Sequence, residues 1–371
     1  MLEPQSVLIL LFLLAAYGVA AWWLTTMRRV IFKILAGALA GVPAVLLGIA
    51  AVNSYYGYYQ DWSGLSQDLT GSADPDMRII RQSASDTSLK RALEPVLEAA
   101  AKKTVSTADG LRARLMIHGA TSGLTREVLI YLPPQYFEPA YGQTRFPVID
   151  LLHGAPGGPR DWLDRMHVAR VFNDQLVMGE ATAAVLVIPD TNEGNDRSLQ
   201  CLNVVGGPQD ESFLVDDLST QISGALRVQP PGRHWGVAGF SEGGYCAANL
   251  ALRHPNTFGA AGVMSGYFSP MRLVKLPAKT DPFAGDPNLR AANSPMNILS
   301  NPPTGAVLPH LWVMAGTASG EDMTAATQFV NLARQRRLDT RFTRIPGGAH
   351  TFPAWRQAMP QMLIWITRMI R

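Results

Sequence analysis

The chain has 371 residues, of which 47% are hydrophobic and 16% are charged, a composition too apolar for a disordered or fibrous protein. Its 33 glycines and 26 prolines follow neither a G-X-Y period nor a longer repeat, which excludes collagen and solenoid architectures. Three of the 32 basic residues and one of the 29 acidic residues precede residue 34. The remainder is nearly balanced in charge, so the sequence shows no nucleic-acid-binding surface.

Two uncharged apolar runs lie near the N-terminus. The first, Val7–Thr26, is long enough at about 1.5 Å per residue to cross roughly 30 Å of hydrocarbon. The second runs over residues 34–60, apolar as far as Val52 and then rich in aromatic residues, as is typical of a membrane interface. Both runs predict transmembrane helices, so residues 1–60 are predicted to be a membrane anchor.

Basic residues indicate how the anchor is oriented. Arg28, Arg29 and Lys33 lie between the two runs, and Asn53–Met77 contains no lysine or arginine. Because positive charge favours the cytoplasmic side, both ends of the anchor are predicted to lie outside. A cleaved signal peptide is the alternative for the first run, but its positive charge would precede the apolar core. The sequence therefore predicts a multi-pass protein of the cell membrane whose folded part is extracytoplasmic.

Cys201 and Cys246 are the two cysteines of the chain. In an oxidising compartment they could form a disulfide, and two buried thiols packed as small hydrophobic groups are an equally open alternative. A zinc site is disfavoured because the chain has neither a C-x-x-C nor an H-E-x-x-H motif.

Strand-like and helix-like segments alternate in the remainder of the chain. Residues 61–109 are predicted to be a connector with a helix at Leu89–Lys103, followed by a folded domain over 110–371. The predicted strands are Ala113–Ile117, Glu127–Leu132, Val148–Leu152, Ala184–Ile188, Trp235–Ala238, Ala260–Met264, Leu311–Ala315 and Arg341–Ile345. The predicted helices between and after them are Phe213–Ala225, Glu242–Arg253, Thr324–Arg336 and Ala354–Ile370. This alternation predicts an α/β fold with a mostly parallel central sheet, whose first two strands form an antiparallel hairpin.

The most specific motif is the G-x-S-x-G of Gly239–Gly243, placed directly after a predicted strand and before a predicted helix. This is the context of a nucleophile elbow, where small residues allow a sharp turn and the helix N-terminus presents N–H groups to negative charge. A tight turn with an incidental serine is the alternative. The sequence predicts Ser241 as a nucleophile.

A serine nucleophile needs a general base. His350 lies in the glycine-containing loop between the last predicted strand and the last predicted helix, where the base falls in the chain order serine, acid, histidine. The histidines at the ends of other predicted elements are interpreted as surface or capping residues; they are His118, His234, His254 and His310.

The acid is expected to follow the penultimate strand. The loop over residues 316–322 offers two adjacent carboxylates, Glu321 and Asp322, and either could hold the histidine tautomer and stabilise the imidazolium. We favour Glu321, because Asp322 is well placed to cap the helix that is predicted to begin near Thr324.

Two backbone donors are expected for the developing oxyanion. The turn Leu151–Gly158 follows a central strand and contains an H-G-x sequence. The N–H groups of Ala155 and Glu242 are the predicted donors, and His153 is interpreted as bracing the loop.

Five motifs, which follow one another along the chain, resemble those of a known family. They are Gly110–Leu115, Thr125–Pro134, Leu151–Gly154, Gly239–Gly244 and Gly347–His350. Over residues 110–371 the chain resembles the Putative esterase family of α/β-hydrolases, which includes esterase D, S-formylglutathione hydrolase and the mycobacterial mycolyltransferase antigens. The resemblance implies an α/β-hydrolase fold and a serine esterase or acyltransferase that works without a cofactor. The soluble cytoplasmic members of the family do not have such an anchor, and an exported enzyme would not meet formylglutathione.

The anchor and the resemblance together predict an extracytoplasmic serine carboxylester hydrolase that acts on envelope or lipid-type esters through an acyl-enzyme. Two alternatives remain: an acyltransferase that moves an acyl group to a sugar or lipid hydroxyl, and a catalytically silent envelope scaffold. The Pro-rich stretch Ser269–Pro309 is expected either to form the wall of an acyl pocket or to be a rigid surface excursion.

Overall fold

The computed structural model describes residues 3–70, 77–80, 89–102, 106–194, 197–273, 280–302 and 307–371. The chain divides into two compact units, one over residues 1–74 together with 351–353 and the other over 75–350 together with 354–371.

The first unit is built on a pair of long apolar helices, α1 (Val7–Thr26) and α2 (Val30–Tyr56), followed by α3 (Trp62–Thr70). The most apolar 18-residue windows of α1 and α2 both have a mean hydropathy of 2.3. Most of their large apolar side chains are exposed. By length and composition, both helices could cross a membrane.

The end of α2 is fixed by a turn and packs beside the start of α1. Gly57 adopts a left-handed conformation with a φ of 65° and caps α2, its N–H donating to the Asn53 carbonyl. Ser54 Oγ donates to the Gln5 carbonyl at 3.3 Å. The two helices are therefore antiparallel.

The second unit contains a sheet that has nine strands within the described residues. The strands are β1 Met77–Ile79, β2 Leu111–His118, β3 Thr125–Leu132, β4 Val148–Leu152, β5 Val185–Pro189, β6 Gly232–Phe240, β7 Phe258–Met264, β8 His310–Gly316 and β9 Thr340–Ile345. Their spatial order is β1-β2-β3-β5-β4-β6-β7-β8-β9. β3 runs antiparallel to its neighbours β2 and β5, whereas the other pairs are parallel.

Helices cover both faces of this sheet. They are α4 Leu89–Ala101, α5 Val168–Val177, α6 Asp210–Ser212, α7 Ser219–Ala225, α8 Glu242–Arg253, α9 Pro287–Ala292, α10 Pro295–Ser300, α11 Gly320–Gln335 and α12 Phe352–Met369. Short π-helical segments lie at Asp161–Arg165 and Phe213–Leu218. All residues of β4 and β5 are buried, which explains why these strands are apolar at every position except Asp150 rather than alternating. The predicted α/β fold with its mostly parallel sheet is confirmed.

Residues 61–109 are the segment that the sequence predicts to be a connector. It is divided between the two units: α3 belongs to the first, whereas β1 pairs with β2 in the sheet of the second. In α4, Leu89, Leu93 and Ala100 are buried in the core of the second unit.

The strand order has a topological switch point at β4. β4 lies between β5 and β6. The chain continues from β4 to β5 on one side and then crosses to β6, β7, β8 and β9 on the other side. Loops that leave the carboxyl ends of β4 and β6 therefore diverge to opposite faces, and such switch points are where α/β sheets bind ligands.

A buried carboxyl group on β4 makes stability depend on pH. Asp150 is 1% exposed, and its Oδ1 has no hydrogen-bond partner among the described residues. Burial raises the pKa of Asp150 well above its ordinary value. Between the unfolded-state pKa of about 4 and the raised folded-state pKa, the folded protein holds a proton that the unfolded chain releases. The free energy of unfolding therefore falls with rising pH, by up to about 1.4 kcal/mol per pH unit.

We predict that Asp150→Asn, which removes this proton requirement, raises the Tm at pH 7 relative to wild type, and that the gain shrinks as the pH is lowered toward about 4. Thermal unfolding of both proteins across this range is the measurement. Asp216→Asn at an exposed position is the matched control. A gain in Tm that does not vary with pH would contradict the prediction.

Candidate active site

The serine of the G-x-S-x-G motif occupies the sharp turn between β6 and α8. Ser241 has φ 55° and ψ −120°, a conformation that L-residues rarely adopt and that is typical of functional sites. Its N–H donates to the Met264 carbonyl at the end of β7, with an N···O distance of 2.9 Å. The neighbouring strand therefore holds the strained turn in place.

Two glycines of the motif are required by the close approach of backbones. A Cβ at Gly239 would lie 2.1 Å from the Gly243 carbonyl oxygen, and a Cβ at Gly243 would lie 2.1 Å from the Leu152 carbonyl oxygen. Any side chain at these positions would force β4, β6 and α8 apart. The motif spacing thus follows from how tightly three elements meet at the serine.

The structure brings His350 to this serine. His350 Nε2 lies 2.9 Å from Ser241 Oγ, and His350 Nδ1 lies 2.9 Å from Asp322 Oδ2. In the tautomer that suits both partners, Nδ1–H donates a hydrogen bond to the carboxylate and Nε2 accepts one from the serine hydroxyl. The imidazole and the Trp355 ring lie nearly perpendicular to one another, with ring centroids 5.1 Å apart. Serine, histidine and carboxylate therefore form one hydrogen-bonded chain.

The structure places Asp322 rather than Glu321 against the histidine, which corrects the preference drawn from the sequence. That preference assumed that Asp322 caps a helix beginning near Thr324, but α11 begins at Gly320 with Ser319 at its N-cap. Asp322 therefore lies inside the first turn and is free to reach the imidazole. Glu321 is exposed, and no hydrogen bond joins it to His350 in the described part of the chain.

The loops that carry the acid and the histidine are joined to one another. Ala318 N–H donates to the Gly348 carbonyl at 2.8 Å, and Gly347 N–H donates to Thr317 Oγ1 at 2.8 Å. Because these bonds lie within a few residues of Asp322 and His350, they fix the distance between the two side chains.

The predicted oxyanion donors lie on the two segments that meet at the serine. A Cβ at Gly154 would lie 3.2 Å from Ser241 Cβ, so the loop after β4 contacts the serine directly. Glu242 is the first residue of α8, at the positive end of the helix dipole. Within the described ranges, the N–H groups of Ala155 and Glu242 donate to no other residue.

A buried histidine braces the loop after β4. His153 Nδ1 donates to the Gly154 carbonyl at 2.8 Å, and His153 Nε2 accepts from Thr191 N–H at 3.1 Å. Burial by itself would lower the pKa of His153, but the neighbouring Asp190 carboxylate stabilises the protonated imidazole and outweighs burial, so the pKa is raised. Asp190 and Thr191 are not among the residues predicted from the sequence. Their position directly after β5, at the same end of the sheet as the loop after β4, is the signal that could have found them.

The side chain of Glu242 ties α8 to the segment 198–201. Its carboxylate accepts hydrogen bonds from Ser198 Oγ and from Gln200 N–H. Burial raises the pKa of Glu242, although these hydrogen bonds oppose the rise. A disulfide joins Cys201 to Cys246 on α8, with Cα atoms 5.7 Å apart. The pairing that the sequence left open is thus a disulfide in the structure.

The remaining candidate features lie away from the serine. The four histidines interpreted as surface or capping residues contact other groups: His118 contacts Thr125, His234 the Ile370 carbonyl, His254 Glu211 and His310 Asp339. In the part of the chain that the structure describes, no group of three or more His, Cys, Asp or Glu side chains could hold a metal ion.

The stretch Ser269–Pro309 contains α9 and α10, and Phe283 and Leu299 within it are buried in the core. Residues 274–279 and 303–306 lie outside the described residues. A role for this stretch in an acyl pocket stays a prediction.

The fold and the site together define an α/β-hydrolase with a serine nucleophile elbow. The family model described as Putative esterase matches residues 120–366. The chain therefore belongs to the Putative esterase family, and the identification made from its motifs is confirmed.

The chain is also similar to individual proteins. An uncharacterised protein of Corynebacterium glutamicum is 23% identical over 254 residues, which cover 67% of this chain and 59% of that protein. The chain thus spans less than two thirds of that relative. Among solved structures, a ferulic acid esterase has a TM-score of 0.61 at 22% identity and is matched over 70% of this chain and 98% of its own. S-formylglutathione hydrolase from Agrobacterium tumefaciens has a TM-score of 0.57 at 17% identity, covering 72% and 98%. At such identities the structural likeness establishes the fold alone.

We predict that Asp322→Asn lowers the turnover of a short-chain nitrophenyl ester by up to about 10⁴-fold, because an amide favours the wrong histidine tautomer. Glu321→Gln, the matched control in the same helical turn, is expected to change turnover by no more than about twofold, the scale of an exposed substitution. Steady-state kinetics of both variants are the measurement. The opposite ranking would return the role to Glu321.

Proposed function

We propose that this protein is a membrane-anchored serine carboxylester hydrolase whose catalytic domain is extracytoplasmic and acts on envelope or lipid-type esters. The observation that carries the proposal is the hydrogen-bonded chain from Ser241 through His350 to Asp322, placed at a strained turn in an esterase-family fold.

In the first half-reaction, Ser241 Oγ attacks the ester carbonyl carbon while its proton passes to His350 Nε2. Asp322 stabilises the imidazolium that forms. The carbonyl oxygen becomes an oxyanion that accepts hydrogen bonds from the N–H groups of Ala155 and Glu242. When the tetrahedral intermediate collapses, the ester C–O bond breaks and His350 gives its proton to the leaving alcohol. The acyl group is then covalently bound to Ser241.

In the second half-reaction, His350 takes a proton from a water molecule, and the resulting hydroxide attacks the acyl carbonyl carbon. The bond between Ser241 Oγ and the acyl carbon breaks, His350 returns the proton to Oγ, and the carboxylic acid leaves. A sugar or lipid hydroxyl that replaced this water would yield a transfer product, so the two reactions share their first half.

Two independent features support the extracytoplasmic placement. Arg28, Arg29 and Lys33 lie on the short segment around the end of α1 and the start of α2, and positive charge on such a segment favours the cytoplasmic side. The disulfide between Cys201 and Cys246 is typical of proteins in oxidising compartments.

The proposed substrate class follows from the family and the location. The structural relatives are described as acting on ferulic acid esters and on S-formylglutathione. An exported, anchored enzyme would instead meet esters of the envelope, with the acyl carbonyl accessible at or near the membrane surface.

We predict that Ser241→Ala abolishes both covalent labelling by a fluorophosphonate probe and ester hydrolysis while the protein stays folded, because the change removes one hydroxyl and little packing. Ser269→Ala at an exposed position is the matched control and should label as wild type does. In-gel fluorescence and nitrophenyl ester turnover are the measurements. Labelling of the Ser241→Ala protein at the wild-type rate would rule out this nucleophile. A wild-type protein that neither reacts with the probe nor hydrolyses any ester would instead favour the silent scaffold.

We predict that a reporter fused after Arg371 is active only as an exported enzyme, and that protease added to spheroplasts reaches the catalytic domain. Replacing Arg28, Arg29 and Lys33 by glutamine and adding three lysines after Asn53 should weaken or invert the insertion, because the basic residues direct it. A protected domain with a C-terminal reporter active in the cytoplasm would contradict the proposed orientation.

A further inference from the structure

The first unit contains an apolar cavity of about 600 Å³ at one end of its helix pair, a volume within the range of small-molecule pockets. We call it the anchor cavity. Its walls come from the start of α1, the end of α2 and α3, and they include Ile9, Leu13, Leu46, Ile49, Trp62 and Leu65.

The chemistry of the walls excludes a polar occupant. None of the described residues that line the cavity is charged. The one side-chain amide in the lining, Asn53, is used by a turn: its Nδ2 donates to the Tyr59 carbonyl at 3.0 Å, and its Oδ1 accepts from Tyr59 N–H at 2.8 Å. The cavity therefore offers hydrocarbon surface, and whatever binds there must be apolar along the bound part.

The position of the anchor cavity relates it to the bilayer. It lies between two helices whose length and hydropathy suit a membrane span, and its lining at the end of α2 includes Tyr58, Tyr59 and Trp62. Aromatic side chains of this kind favour the boundary between headgroups and hydrocarbon. A ligand with one apolar chain inside the cavity and a polar group at this aromatic end matches both observations.

We propose that the anchor cavity binds one hydrocarbon chain of a membrane phospholipid, with the headgroup at the level of Tyr58, Tyr59 and Trp62. This inference rests on the proposed membrane anchoring and is independent of the chemistry at Ser241. The anchor would thereby hold one specific lipid in addition to the surrounding bilayer.

A glycine provides a selective way to fill the cavity. Gly48 lines it, and a Cβ built there meets no atom within 4 Å. A side chain can therefore begin at this position without a clash at its Cβ, and Gly48→Phe is chosen to fill the space. Gly41 lies on the same helix and also has nothing within 4 Å of its Cβ, but it does not line the cavity. Gly41→Phe is therefore the matched control, and Ala50→Leu is a second, milder filling variant.

The test uses the full-length protein in lipid nanodiscs that contain a phospholipid with a diazirine on one acyl chain. After irradiation, labelled peptides are mapped by mass spectrometry. In wild type and Gly41→Phe, labelling should saturate near one lipid per chain and concentrate on residues 7–14 and 45–52. In Gly48→Phe it should fall about fivefold or more, the effect of ~1 kcal/mol of lost binding, and in Ala50→Leu it should also fall.

Several outcomes would overturn the inference. Labelling spread evenly along both helices, rising without saturation, or equal in the filling variants and the control indicates bilayer lipid only. Labelling by a photoactivatable free fatty acid but not by the phospholipid would reject the proposed source. Carbonate extraction distinguishes failure of the proposed anchoring from failure of the proposed lipid site. If carbonate extracts the protein from membranes, both are refuted. If the protein stays in the membrane but labelling is not concentrated at the cavity, the lipid site alone is refuted. Fluorophosphonate labelling of Ser241 reports the enzymatic proposal separately.

Discussion

The close backbone contact at the serine turn is the constraint on which the rest of the site depends. Gly243 approaches the Leu152 carbonyl so closely that no side chain could stand between them, and Ser241 is held in its strained conformation by a hydrogen bond to Met264. Three parallel strands therefore determine the position of a single oxygen atom. Conformational strain of this kind persists only where the surrounding structure over-determines it, and here β4, β6 and β7 all contribute.

Behind this turn, a layer of buried polar groups keeps the oxyanion loop and the nucleophile helix in place. His153 joins the loop after β4 to the loop after β5, while Glu242 and the disulfide join α8 to the segment that ends at Cys201. Buried polar groups are costly unless they are hydrogen-bonded, so the polar atoms involved are paired within the fold. Such a supporting layer is what holds a reactive group in its working geometry.

The apolar side chains of the helix pair are distributed differently from those of the second unit. In α1 and α2 the large apolar side chains face outward, whereas in the sheet they fill both faces of the central strands. Outward apolar surface is unfavourable in water and favourable in hydrocarbon. The positive charges around the junction of the two helices favour the cytoplasmic side for that junction, and the disulfide of the second unit favours an oxidising compartment for that unit. The two features are unrelated, and both support the proposed extracytoplasmic placement of the second unit.

Local patterns in the sequence were sufficient for the long helices, the central strands, the serine turn and His350, because periodicity, glycine spacing and chain order are readable without tertiary contacts. Only the tertiary structure decided between Glu321 and Asp322, since hydrogen bonds between the loops of Thr317 and Gly347 and the actual start of α11 set which carboxylate meets the imidazole. The three-residue strand β1 and the hydrogen-bond partners of His153 also could not be predicted from the sequence. Their signals are pairings between segments far apart in the chain, and no local pattern of residues encodes a distance between two loops.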